Sequence, residues 1–96
     1  MRFCEHCQES IRLFGKSFEE LHQWIDEFAG SDEFGMRHRS IRHHLVGIEE
    51  AVEKLGEEVR EAARRHIISD LEEEGWREGV DPFPKNSEEY KRMGLF

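Results

Sequence analysis

Apolar residues recur at helical spacing along nearly the whole chain, and no stretch alternates as a half-buried strand would. From about Cys4 to Phe14, the positions Cys4, Cys7, Ile11 and Phe14 make one stripe predicted to face inward. Gly15 follows as a C-cap that takes the left-handed conformation cheaply. Ser17 and Glu20 have the spacing of a capping box, so a second helix is predicted from about Phe18. Phe18, Leu21, Trp24, Ile25 and Phe28 form its apolar face, and Gly30 ends it.

A third, central helix is predicted up to Leu55, with Phe34, Ile41, Leu45, Ile48, Val52 and Leu55 as its stripe. Its Ser40, Gly47 and Ala51 make a second face of small residues where another backbone can approach closely. A fourth helix, about Val59 to Glu74, turns Val59, Ala62, Ala63 and Ile67 inward. Beyond Gly75 both prolines fall in an irregular arm, 76–96, closed by a short helix from Ser87. The pattern predicts an all-α fold, a compact bundle of about four helices with a short arm and closing helix. Ninety-six residues are enough for one domain.

His66 and Asp70 fall in the inner window of the fourth helix, one turn apart. A carboxylate on a buried face is costly unless it meets a cation or hydrogen-bond donors, so Asp70 requires a partner. His22 and Asp26 repeat the four-residue spacing at the edge of the second helix. In a continuous third helix, His38 and His44 flank the stripe while His43 points largely away. Imidazoles and carboxylates converging from several helices suit a divalent metal, zinc first and manganese or iron next. His22, His38, His44, His66 and Asp70 lead that list, followed by His6, His43 and Asp26. The competing reading is a hydrogen-bond network of local His/Asp pairs, in a noncatalytic module that dimerises through the small-residue face.

Arg37, Arg39 and Arg42 crowd the start of the third helix, where the macrodipole disfavours cations. Pairing with Asp26, Glu27, Asp32 and Glu33 is expected for most of them. One, Arg37 or Arg42, is expected to turn inward and steady a small anionic substrate, should metal-activated water perform hydrolysis. Cys4 and Cys7 share a helix face and read first as small buried hydrophobes. The sharper alternative is half of a zinc site, shared across a dimer or completed by His6 and another histidine.

The formal charge of −8 disfavours a general nucleic-acid or anionic-membrane binder, and no apolar run approaches a membrane span. With no apolar signal core in "MRFCEHCQES", a cytoplasmic protein with reduced thiols is expected. Abundant Glu, Lys and Arg, with no Thr, resemble heat-adapted composition.

His6 with Ser10, Phe14-Gly15, "HQWID" at 22–26, "RHRSIRHHLVGI" at 37–48 and "HIISDL" at 66–71 together resemble a family of small uncharacterised bacterial, archaeal and phage proteins classed as a domain of unknown function. The resemblance runs from His6 to about Pro84 and implies a shared His/Asp site without a settled reaction. The two cysteines and the closing "NSEEYKRMGLF" lie outside it. Adjacent His43-His44 with a later His66-x-x-x-Asp70 is also loosely similar to helical HD-type metal phosphohydrolases, although their central pair is His-Asp.

Overall fold

The computed structural model describes residues 2–27 and 39–95. Those residues form helices and turns without a strand, so the fold is all-α. The order is α1 (Phe3–Phe14), α2 (Glu19–Ile25), α3 (Arg39–Arg42), α4 (Leu45–Leu55), one 3₁₀ turn (Glu57–Val59), α5 (Arg60–Glu73) and α6 (Ser87–Arg92). Gly15 ends α1 in the left-handed region and returns its N–H to the Ile11 carbonyl, as its position predicts.

The expected Ser17–Glu20 capping box does not form. The N-cap of α2 is Phe18, itself left-handed at φ 52°, with no side-chain cap bond. That conformation costs a non-glycine residue about 1–2 kcal/mol, and it turns the Phe18 ring against the core and edge-on to Phe14. Phe28, Gly30 and Phe34 lie outside the described residues.

α5, rather than the third predicted helix, is the central element, packed against α1, α2 and α4. Every residue from His66 to Leu71 is buried. Its apolar positions Ala63, Ile67, Ile68 and Leu71 meet Leu21 and Ile25 of α2 and Ile48 and Ala51 of α4 in one core. Each buried Leu or Ile there contributes about 1.5–3 kcal/mol. The arm closes the other side: Trp76 donates to the Pro82 carbonyl at 2.9 Å and stacks edge-on with Phe83. The first amides of α4, at Leu45 and Val46, donate to the carbonyls of Pro84 and Lys85. Tyr90 of α6 is fully buried and donates its hydroxyl to Glu74 at 3.0 Å.

Two expectations about faces are corrected. The third helix is not continuous within the described residues, because the chain bends at His43 and His44 between α3 and α4. The backbone that approaches the small face is then the chain's own: a Cβ on Gly47 would lie 1.9 Å from the Arg42 carbonyl oxygen. Ser40, Gly47 and Ala51 are buried within the chain, which leaves no open small-residue face for a second copy. On α1 the apolar stripe faces outward. Phe3, Ile11 and Phe14 are exposed, as is Cys4, while the buried residues of α1 are His6, Cys7, Glu9 and Ser10. Polar partners on α2 and α5 cover that inner face, and these partners build the site.

Candidate metal centre

Asp70 sits on the inner face of α5 and is 1% exposed. Three imidazoles from three elements reach its carboxylate. His6 of α1 places Nε2 at 3.1 Å from Oδ1, and His43 in the α3–α4 bend places Nε2 at 2.8 Å from Oδ2. His66, one turn before Asp70, has Nε2 at 3.4 Å from the same Oδ2 and 3.2 Å from Asp26 Oδ2 at the end of α2. Arg39 adds a guanidinium at 3.5 Å from Asp70 Oδ1 and also meets Glu73 and Glu74.

The histidine rings form a layer. His6 stacks on His66 with centroids 3.6 Å apart, and His22 lies nearly parallel to both. His22 Nδ1 is 2.7 Å from His66 Nδ1, and its Nε2 is 2.7 Å from Ser10 Oγ. One arrangement of protons satisfies this chain: His66 Nδ1–H donates to His22, and His22 Nε2–H donates to Ser10. Beside it, Ser69 donates to the buried Glu9 at 2.7 Å, and Arg65 lies 3.6 Å from that carboxylate.

Charge follows from burial and partners. Burial, reinforced by His66 and His6, pulls His22 down to about 3. Burial also lowers His43 to about 4, against the hydrogen bond that it donates to Asp70. For His66 burial opposes the charged form too, but the Asp26 and Asp70 carboxylates outweigh it and raise its pKa. Burial likewise opposes an ionised Asp70, yet His43, His6 and His66 hold it well below the usual carboxylate range. Near neutral pH the centre therefore holds an anionic Asp70 and neutral His22 and His43, with a His66 whose protonated form is favoured by the two carboxylates beside it.

These shifts set a pH dependence for the metal-free protein. In the unfolded chain a histidine takes a proton near pH 6.5, whereas folded His22 and His43 stay neutral down to about 3 and 4. Between about pH 6.5 and 4 the unfolded chain binds more protons, so stability falls on acidification. His66 is protonated in both states there, and its contribution is lost only above that range, as pH rises through its raised folded pKa. Urea unfolding at pH 4.5 should show stability lower than at pH 7 by on the order of 3 kcal/mol. Equal midpoints at the two values would contradict the proton assignment.

The geometry suits a cation. His6, Asp26, His66 and Asp70 each offer a ligand atom, all within 4.8 Å of one another, and His6, His22 and His66 make a second such group. In a tetrahedral zinc site with bonds of about 2.0–2.1 Å, neighbouring ligand atoms lie roughly 3.3 Å apart. His66 Nε2 lies 3.2 Å from Asp26 Oδ2 and 3.4 Å from Asp70 Oδ2, near that edge, while His6 Nε2 meets the other oxygen of Asp70, Oδ1, at 3.1 Å. His66 Nε2 is buried and in hydrogen-bond alignment with neither carboxylate, and the buried His6 Nδ1 has no hydrogen-bond partner.

Of the histidines and aspartates named from the sequence, His6, His22, Asp26, His43, His66 and Asp70 meet here. His44 does not: its Nδ1 accepts from the Gly47 amide and caps α4, while Nε2–H donates to the Ile41 carbonyl. With both ring nitrogens occupied it leaves the ligand list, and the likeness to an HD-type pair fails with it. Arg42 lies over the Trp24 ring, donates to the Trp24 carbonyl and pairs with Glu27. Among the described residues the guanidinium that reaches the cluster is that of Arg39, and it meets the carboxylates of Asp70, Glu73 and Glu74. Arg37 and His38 lie outside the described residues.

A family model described as a domain of unknown function, DUF6915, matches residues 1–92. The chain belongs to this family. No curated protein and no solved structure matches it. In this DUF6915 chain the His/Asp cluster, which could hold a metal ion, lies within the matched segment. No helix among the described residues is long and apolar enough to cross a membrane.

Proposed function

We propose that this chain is a metal-binding protein whose buried centre holds one divalent ion through His6, Asp26, His66 and Asp70, with zinc favoured over manganese or iron. The observation that carries this reading is His66 Nε2, buried between two carboxylate oxygens at 3.2 and 3.4 Å and aligned with neither. The His66 imidazolium occupies the position of positive charge that an ion would take over. Two nitrogens and two oxygens form a borderline donor set that suits zinc, manganese or iron. Support around the ligands follows the usual pattern. His66 Nδ1–H is accepted by His22, His22 is held by Ser10, and Asp70 is held by His43 and Arg39.

Because the ligands come from α1, the end of α2 and α5, a bound ion would join three helices. Asp26, with its side chain 23% exposed, is the ligand open to solvent. Such burial favours an ion that organises the protein over one that turns over substrate; hydrolysis by metal-activated water would require approach along Asp26.

Elemental analysis of protein purified without chelators tests the reading. His66→Ala is expected to hold one equivalent of zinc less than the wild type and His44→Ala, with helical circular dichroism retained in all three. No stoichiometric metal and no affinity for zinc, manganese or iron would overturn it. An unchanged metal content in a destabilised His66→Ala variant would favour the hydrogen-bond network.

A further inference from the structure

α1 is amphipathic in an unexpected sense: it buries His6, Glu9 and Ser10 and shows solvent its apolar side. Phe3, Ile11 and Phe14 are 43, 54 and 39% exposed. At 100° per residue they share one face with Cys4 and Cys7. Cys4 is exposed, and Cys7 is buried with 8% of its surface open. The two cysteines stand one helical turn apart on α1, and burial, then Glu19 and Cys4, pushes the Cys7 thiol up. The chain has no other cysteine.

Two thiols one turn apart are half of a structural zinc set, which is closed by four donors. Nothing described in the same chain completes it. His6, between the cysteines in sequence, turns the other way to Asp70, and neither thiol joins a group of three potential ligands among the described residues. No donor among the described residues completes the set, and a second copy supplies an identical pair on an identical apolar face. The exposed rings and Ile11 together offer only a few hundred Å², against roughly 800 Å² per partner in a standard stable interface. The apolar contact is too small to hold two copies without a cross-link.

From this juxtaposition we infer that the α1 face is a zinc-dependent homodimer contact, in which Cys4 and Cys7 of each copy close one four-thiolate site across a two-fold axis. The thiols release their protons to the buffer as the ion binds, and Phe3, Ile11 and Phe14 pack around the site and exclude water. This site is separate from the His/Asp centre, and the two differ in donor atoms.

The test uses the full chain under a non-chelating phosphine reductant, which prevents disulfide-linked dimers. Sedimentation velocity is read with and without added zinc, and absorption is read with cobalt in its place. Wild type is expected to shift from monomer to dimer as zinc rises, with half an equivalent of metal bound beyond the internal site. Cobalt should show sulfur-to-metal charge-transfer bands. Cys4→Ser, at an exposed position, should lose both the dimer and the charge-transfer bands while keeping the metal of the His/Asp centre. Ile11→Glu should weaken the dimer without disturbing the fold. A wild type that stays monomeric in zinc, a dimer that forms equally in Cys4→Ser, or thiolate–cobalt bands in a monomer would each overturn the inference.

Discussion

Asp70→Ala is expected to lower the stability of the metal-free protein by about 3–5 kcal/mol, the usual cost of breaking a buried ionic cluster from one side. His6, His43, His66 and Arg39 all address this carboxylate, and none of the three imidazoles is more than 1% exposed. Removing it leaves the His66 imidazolium with Asp26 alone and the Arg39 guanidinium with Glu73 and Glu74. In a domain of this size each kcal/mol moves the melting temperature by about 4–8 °C, so a drop of at least about 12 °C is expected. Asp70→Asn keeps the shape and part of the hydrogen bonding, and its loss should be smaller. Thermal melts followed by circular dichroism check both. An Asp70→Ala protein within about 1 kcal/mol of wild type would remove this carboxylate as the anchor of the cluster.

Gly47→Ala should be nearly as damaging, although the same change in an ordinary helix interior stabilises by about 1 kcal/mol. The added methyl group would stand 1.9 Å from the Arg42 carbonyl oxygen and 2.6 Å from its carbon. Both atoms are backbone, so no side chain can swing aside. Relief requires that α3 and α4 part at their bend, and this bend places His43 against Asp70 and lets His44 cap α4. The expected loss is about 3 kcal/mol, at the upper end of the usual cost of overpacking. Urea denaturation measures it, and the imidazole NMR signal of His43 should shift at the same time. An alanine variant as stable as wild type would mean that the bend opens without cost.

The inward placement of His66 and Asp70 was legible from spacing alone, because α5 is unbroken and the 100° step holds along its length. The same arithmetic failed at His43 and His44. It requires a continuous helix, and the bend between α3 and α4 resets the phase, which exchanges the two rings' roles. Gly47 three residues after His44 was the available signal, since an N-cap acceptor bonds at that distance. α1 misled for another reason. Hydrophobicity assigned its inner face, whereas polar pairing decides it; once His6 turns inward, Glu9 and Ser10, three and four residues on, must follow. Arg39 was missed because its partners Asp70, Glu73 and Glu74 lie more than 30 residues away. No local pattern announces such a pairing.

Cys7 is the sole buried apolar residue of α1, and it is not part of the main core. Attachment of this helix therefore removes little hydrocarbon from water and contributes little to the heat-capacity change of unfolding, which scales with the apolar surface exposed. Cooling weakens burial-driven contacts but leaves this attachment comparatively untouched. Added protons act on it directly, through His22 and Ser10. The attachment of the N-terminal segment thus answers to acidity more than to temperature.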